Sequence, residues 1–440
     1  MTLRHVTLLT LLGLALIGTA PASAAEPYRA VRGAPAAGPA KYDKVFVQRF
    51  GSARAKRVLV LVPGFLGGAG DFRVIARDIV KRVPGLQVWA YDRRPQAFED
   101  TSVFRQQDPA KAEAHYLGFK YRRVLGKDVP FVGRWGLKLA LEDLRRVVRR
   151  ARAGGRRKVI LGGHSLGASM AVAYAAWDFK GHAGYRDLTG LVLIDGGLLG
   201  TFSSATVARA RAVLKEIREG KVFADLLGLG IPEIGGIFSE LAALYARKQP
   251  QAPSALQRNP LIPARFKPPV PATNEAALGY AFDKGTSPKG FELIRINAGS
   301  LAGSGNPRRW LDGEFTPIQR FAEVFSSESP NATEWYFPLR LTLDVDAVSS
   351  LRQTKVAKLL GLRATHAAEI DIPLYAFQTD LTKGRVIRGA KRLRKRAKGI
   401  ETYRFQSNTN LSHLDPLVAK PSRNSFLTTV VRFLKKKQLR

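Results

Sequence analysis

The stretch KVILGGHSLGASMAVAYAA, Lys158 to Ala176, decides how the rest of the chain is read. Val159, Ile160 and Leu161 make a short apolar run of the kind buried on both faces of a parallel sheet. Gly163-His164-Ser165-Leu166-Gly167 then reads as a sharp turn into a small-residue helix through Met170, Tyr174 and Ala176. In a G-x-S-x-G turn of this type the serine is pushed above the sheet edge on a strained backbone. Glycines flank it because a Cβ there would strike the neighbouring strand or helix. The helix N-terminus behind the serine supplies oriented N–H groups where negative charge would develop.

Working outward, the same strand and helix alternation continues on both sides. Upstream, Lys44 to Phe50 reads as an early strand, and Arg57 to Val62 as a buried strand ending in Pro63-Gly64-Phe65-Leu66-Gly67. A helix on Phe72, Ile75 and Ile79 leads to a strand from Leu86 to Tyr91, and Leu137, Leu141, Leu144 and Val148 mark an amphipathic helix. Downstream, Leu191 to Ile194 is a buried strand ending in Asp195-Gly196-Gly197. The alternation predicts a mostly parallel, doubly wound α/β sheet.

It then stops for a stretch far longer than an ordinary loop. Residues 198–370 carry helical pieces at Thr206 to Ile217, Phe238 to Ala246, Asn274 to Phe282 and Thr316 to Phe325, with an extended piece around Trp335 to Leu343. This segment is expected to be a cap or lid subdomain inserted between a first core part, 26–197, and a second, 371–440. The core resumes with Ile372 to Phe377 and Gln378-Thr379-Asp380. A basic helix over Arg385 to Lys398 follows, with Val386, Ala390, Leu393 and Ala397 on its apolar face. A strand from Glu401 to Phe405, the segment Ser412-His413-Leu414-Asp415-Pro416 and a closing helix on Phe426, Val430 and Leu434 complete it.

Ser165, Asp380 and His413 thus fall at or beyond the C-terminal ends of strands, which converge on one edge of such a sheet. A serine hydroxyl needs a base to remove its proton, an imidazole has the right intrinsic pKa, and a carboxylate fixes the imidazole tautomer. Asp380 is the expected acid and Asp195, which also ends a strand, is the alternative; Asp415 lies too near His413 and is expected to cap the local turn. The backbone N–H groups of Leu166 and Phe65 are the expected oxyanion donors.

With VLVLVPGF at Val58 to Phe65, GGHSLGA at Gly162 to Ala168, IPLYAFQTD at Ile372 to Asp380 and SHLDPL at Ser412 to Leu417, the chain resembles the α/β-hydrolase superfamily. It is most similar to capped members of the lipase and esterase type. The resemblance implies hydrolysis of a carboxylic ester through a serine acyl-enzyme, with no cofactor and a small-molecule ester or lipid-like substrate. An acyltransferase or an aminopeptidase would use the same residues, and a non-catalytic anionic-surface-binding protein could keep the fold. Leu198, Leu199, Phe202, Leu226, Leu227, Leu229 and Ile231 are candidates for an apolar acyl pocket.

Composition bounds the rest. Residues 1–25 read as a signal peptide: Arg4 and His5 precede an apolar run from Val6 to Ile17, and Ala22-Ser23-Ala24 offers a cleavage site. The mature chain is therefore expected to be secreted, or held in the periplasm or cell envelope. No cysteine is present, which excludes disulfides, thiolate metal sites and a cysteine nucleophile, and no clustered ligands suggest a metal. The formal charge of +36 would favour electrostatic association with an anionic cell surface or membrane. Aromatic residues do not interleave with the charges as a specific nucleic-acid platform requires. The oligomeric state is left open.

Overall fold

A computed structural model describes residues 26–326, 330–436 and 439; the expected signal peptide over residues 1–25 lies outside the described residues. Along the chain come β1 (Tyr28–Arg32), β2 (Lys44–Phe50), β3 (Arg57–Val62), α1 (Arg73–Arg82), β4 (Leu86–Asp92), α2 (Pro109–Tyr116), α3 (Leu137–Arg152), β5 (Lys158–His164), α4 (Leu166–Ala176) and β6 (Gly190–Ile194). Then follow α5 (Val207–Arg218), α6 (Ile234–Lys248), α7 (Asn274–Phe282), the ribbon strands β7 (Gly299–Gly305) and β8 (Arg308–Asp312), α8 (Ile318–Phe325), α9 (Leu339–Ala347) and α10 (Lys355–Leu359). The chain closes with β9 (Leu374–Gln378), α11 (Arg385–Arg396), β10 (Tyr403–Ser407), α12 (Asp415–Val418) and α13 (Ser425–Leu434).

The main sheet has eight strands in the order β1-β2-β4-β3-β5-β6-β9-β10. From β4 to β10 neighbouring strands are parallel, while β1 and β2 form an antiparallel edge. Alternate residues of the central strands feed two separate cores. Val58, Val60, Leu161 and Leu193 pack with α3, α4 and α11, whereas Leu59, Leu61, Ile160 and Val192 pack with α1 and α13. Both faces are covered, which is why these strands are apolar throughout. Among the described residues no helix is long and apolar enough to cross a membrane.

The expected mostly parallel doubly wound sheet is what forms, and the chain does leave it after β6 and return at β9. Two elements differ from expectation. β1 precedes the first strand read from the sequence; Val31 is its one buried residue, so the edge strand leaves almost no apolar pattern. The piece around Trp335 to Leu343 is not extended throughout, because α9 begins at Leu339 behind Pro338. Leu339, Leu341, Leu343 and Val345 alternate with polar residues and mimic a strand. The helix tolerates that pattern because Asp344 and Asp346 are buried with partners: Asp344 accepts from the Leu137 N–H at 2.9 Å and Asp346 from the Ser203 hydroxyl at 3.0 Å.

Candidate active site

Ser165 joins β5 to α4 with φ +55° and ψ −122°, a conformation that costs a non-glycine residue about 1–3 kcal/mol. Its N–H is held by the Ile194 carbonyl at 2.9 Å. The glycines around it are required by space. A Cβ on Gly163 would stand 2.3 Å from the Gly167 carbonyl, and one on Gly167 only 2.0 Å from the Val62 carbonyl oxygen. A Cβ on Gly196, at the end of β6, would strike the Ser165 carbonyl at 2.1 Å. The next strand end is therefore pressed directly against the serine turn.

That strand end carries Asp195, and Asp195, not the expected Asp380, meets the histidine. His413 Nδ1 lies 2.6 Å from Asp195 Oδ2, with both side chains fully buried. A carboxylate only accepts, so Nδ1 carries the proton and Nε2 is left with a free lone pair. The Thr379 N–H donates to Asp195 Oδ1 at 2.8 Å and the Thr379 hydroxyl to Oδ2. Burial pushes the Asp195 carboxyl up, but the bonds from His413 and Thr379 outweigh it and hold the group below the ordinary aspartate range. Asp380 stands two strands from β5 where Asp195 stands one, and strands are spaced by about 4.8 Å. It is half-buried and near the Ser412 hydroxyl at 3.4 Å; burial and the Asp195 charge push its carboxyl up.

Two neighbours fix the histidine further. His164 Nε2 donates to the His413 carbonyl at 2.9 Å, and burial followed by the adjacent His413 lowers its pKa to about 3, so it stays neutral. Asp415 caps the turn as expected, accepting from the Ser412 N–H at 2.6 Å. It also accepts from the Thr316 hydroxyl at 2.6 Å and the Asn297 N–H at 3.0 Å, tying the His413 turn to the segment between β6 and β9.

The Pro63-Gly64-Phe65 turn packs on the serine: a Cβ on Gly64 would lie 3.1 Å from the Ser165 Cβ. Its shape is set by Arg93, at the end of β4, a residue the sequence did not single out. The buried guanidinium donates to the carbonyls of Pro63 (2.9 Å), Gly64 (2.8 Å) and Gly67 (2.9 Å), and to Glu334 Oε2 at 2.6 Å. In a trans peptide the N–H points opposite to the C=O. With the Gly64 carbonyl turned to Arg93, the Phe65 N–H faces away from it. Glu334 closes the arrangement from the far side, its N–H donating to the Leu66 carbonyl at 2.8 Å.

Phe65, Ser165 and Leu166 line one cavity of about 260 Å³, together with Leu198, Phe202, Ser203, Leu293 and Thr342. Of the expected apolar lining, Leu198 and Phe202 are therefore beside the serine, while Leu226 and Leu227 line a neighbouring chamber. Among the described residues no group of three or more His, Asp or Glu side chains could hold a metal ion. The structure thus brings to one edge of the sheet a serine on a strained backbone at the head of α4 and an imidazole bonded to a buried carboxylate.

No family model matches the sequence, and no curated protein does. Solved structures are similar over most of their length at low identity. A candidate lipase from Sulfolobus solfataricus aligns with 92% of this chain and 93% of its own, at 13% identity and a TM-score of 0.48. Epoxide hydrolase A from Mycobacterium thermoresistibile aligns over 93% and 98%, at 16% identity and 0.44. A thermophilic esterase from Thermogutta terrifontis does so over 93% and 98%, at 13% identity and 0.39. On its own strand order, its parallel crossovers and the serine turn between β5 and α4, the chain has the α/β-hydrolase fold.

Proposed function

We propose that this protein is a serine hydrolase of carboxylic esters that acts outside the cytoplasm, with Ser165 as nucleophile, His413 as base and Asp195 as the orienting acid. The observation that carries the reading is the buried 2.6 Å bond from His413 Nδ1 to Asp195, which leaves Nε2 as the proton acceptor on the sheet edge that bears Ser165. Ser165 Oγ attacks the ester carbonyl and passes its proton to His413 Nε2. The Phe65 and Leu166 N–H groups hold the oxyanion. The tetrahedral species collapses as the C–O bond breaks and His413 hands the proton to the departing alcohol. Water, deprotonated by the same imidazole, then releases the acid and restores Ser165. The segment 198–370 serves as the cap over this edge.

Labelling of the mature protein by a fluorophosphonate tests the reading without knowledge of the substrate. Fast labelling is expected for the wild type and none for Ser165→Ala or His413→Ala. A folded wild type that resists small and large probes alike would exclude an activated serine.

A further inference from the structure

Away from the catalytic edge, a groove of about 490 Å³ opens between α3, the turn from Trp177 to Lys180 and Arg363. Its volume falls in the range of small-ligand sites, about 300–1,000 Å³. It shares no lining residue with the cavity at Ser165. α4 begins directly after Ser165 and ends before Trp177, so about 16 Å of helix lies between the two.

Six basic side chains line the groove, Lys138, Arg145, Arg146, Arg149, Lys180 and Arg363, against two acids, Glu142 and Asp178. Two of the six are committed within the fold. Arg363 pairs with Asp178, while Arg145 donates to Asp187 at 3.2 Å and lies 4.5 Å from the centre of the Phe179 ring. Lys138, Arg146, Arg149 and Lys180 are exposed, and among the described residues their side chains enter no hydrogen bond or ion pair. The α3 residues 138, 142, 145, 146 and 149 share one stripe of the helix, beside the buried stripe of Leu137, Leu141, Leu144 and Val148. A solvated helix face would account for Arg149, because cations are favoured in a last turn. It does not account for Lys138, which stands in a first turn that has no acidic residue to offset it.

From Lys138 to Arg149 the stripe runs about 16 Å, more than one small ion can span. The groove's exposed side chains, Pro35 aside, are all cationic. Trp177 and Phe179 are both buried, so neither offers a ring on which a base could stack. A ligand with a negative charge on every unit and no aromatic body suits these walls, and arginine forks match phosphate oxygens. We infer that the groove binds a linear chain of linked phosphate groups, of the inorganic oligophosphate class. The chain lies along α3 against Lys138, Arg146 and Arg149, with Lys180 at its side. This site is independent of the hydrolase reading.

Calorimetric titration of the mature protein with inorganic tripolyphosphate tests it, in about 0.15 M salt so that distant charges are screened. One site per chain is expected, at least about tenfold tighter than for orthophosphate. Arg146→Gln combined with Arg149→Gln is expected to weaken binding by about tenfold, and Glu142→Gln to tighten it about threefold. Lys391→Gln combined with Lys395→Gln on α11 removes the same charge elsewhere and is expected to stay within about twofold. Equal losses from the two pairs, or orthophosphate bound as tightly as tripolyphosphate, would reduce the effect to net charge and overturn the inference. So would retention on phosphatidylglycerol vesicles that depends on Arg146 and Arg149 while tripolyphosphate goes unbound, which would assign the groove to a lipid surface. The wild-type comparison of the two phosphates decides even if a variant fails to fold.

Discussion

Asp195 accepts from His413 and twice from Thr379, so it is charged and held in one orientation. An amide in its place would donate to Nδ1 and stabilise the wrong imidazole tautomer. Asp195→Asn is expected to lower kcat by about 10⁴-fold with the fold intact, the scale seen when a triad carboxylate is replaced by its amide. Asp380→Asn is expected to stay within about threefold, as for a side chain away from such features; esterase kinetics on both variants decide between the two acids. Sequence reading placed both residues at strand ends and preferred the later one. What it lacked was the lateral position of each strand, because β6 lies beside β5 while β9 lies one strand further out. The glycines of the serine turn were legible because their pattern is confined to five residues of chain, although Gly167 is also pressed against Val62 of the neighbouring strand.

The turn from Pro63 to Gly67 depends on an element that is not its neighbour in sequence. Arg93 binds three of its carbonyls through a planar fork, which a lysine ammonium cannot reproduce. Arg93→Lys keeps the buried charge opposite Glu334 but frees the turn. It is expected to lower kcat by about 10²-fold, the scale of one lost oxyanion donor, with KM little changed. A loss in KM alone would mean that Arg93 serves packing rather than the turn. Nothing in Asp92-Arg93-Arg94 distinguished this arginine from the many others of a basic chain. By contrast the basic helix α11 was legible residue by residue. Val386, Ala390, Leu393 and Ala397 are buried and the arginines between them mostly exposed, because an amphipathic stripe needs no long-range information.

Across the whole molecule several carboxyls are buried well inside the fold. Burial raises Asp92 to about 7 despite bonds from Tyr28 and Ala69, and pushes Asp71 well above its ordinary value. Such groups bind protons more tightly folded than unfolded, so the stability they give is present at low pH and lost as pH rises through the folded pKa. His164, lowered to about 3, works the other way, but only below its unfolded pKa of about 6.5. Between about pH 6.5 and 8 the carboxyls stand alone in this comparison, so the melting temperature is expected to fall across that window. Asp92→Asn, which mimics the protonated acid, is expected to flatten the fall; thermal scans of both proteins check it. The contact from His413 to Asp195 closes 218 residues of chain, including the entire segment between β6 and β9. During synthesis, then, a nascent polypeptide carries its serine and its acid long before its base. On the proposed roles it stays inert until His413 has emerged and folded back onto Asp195.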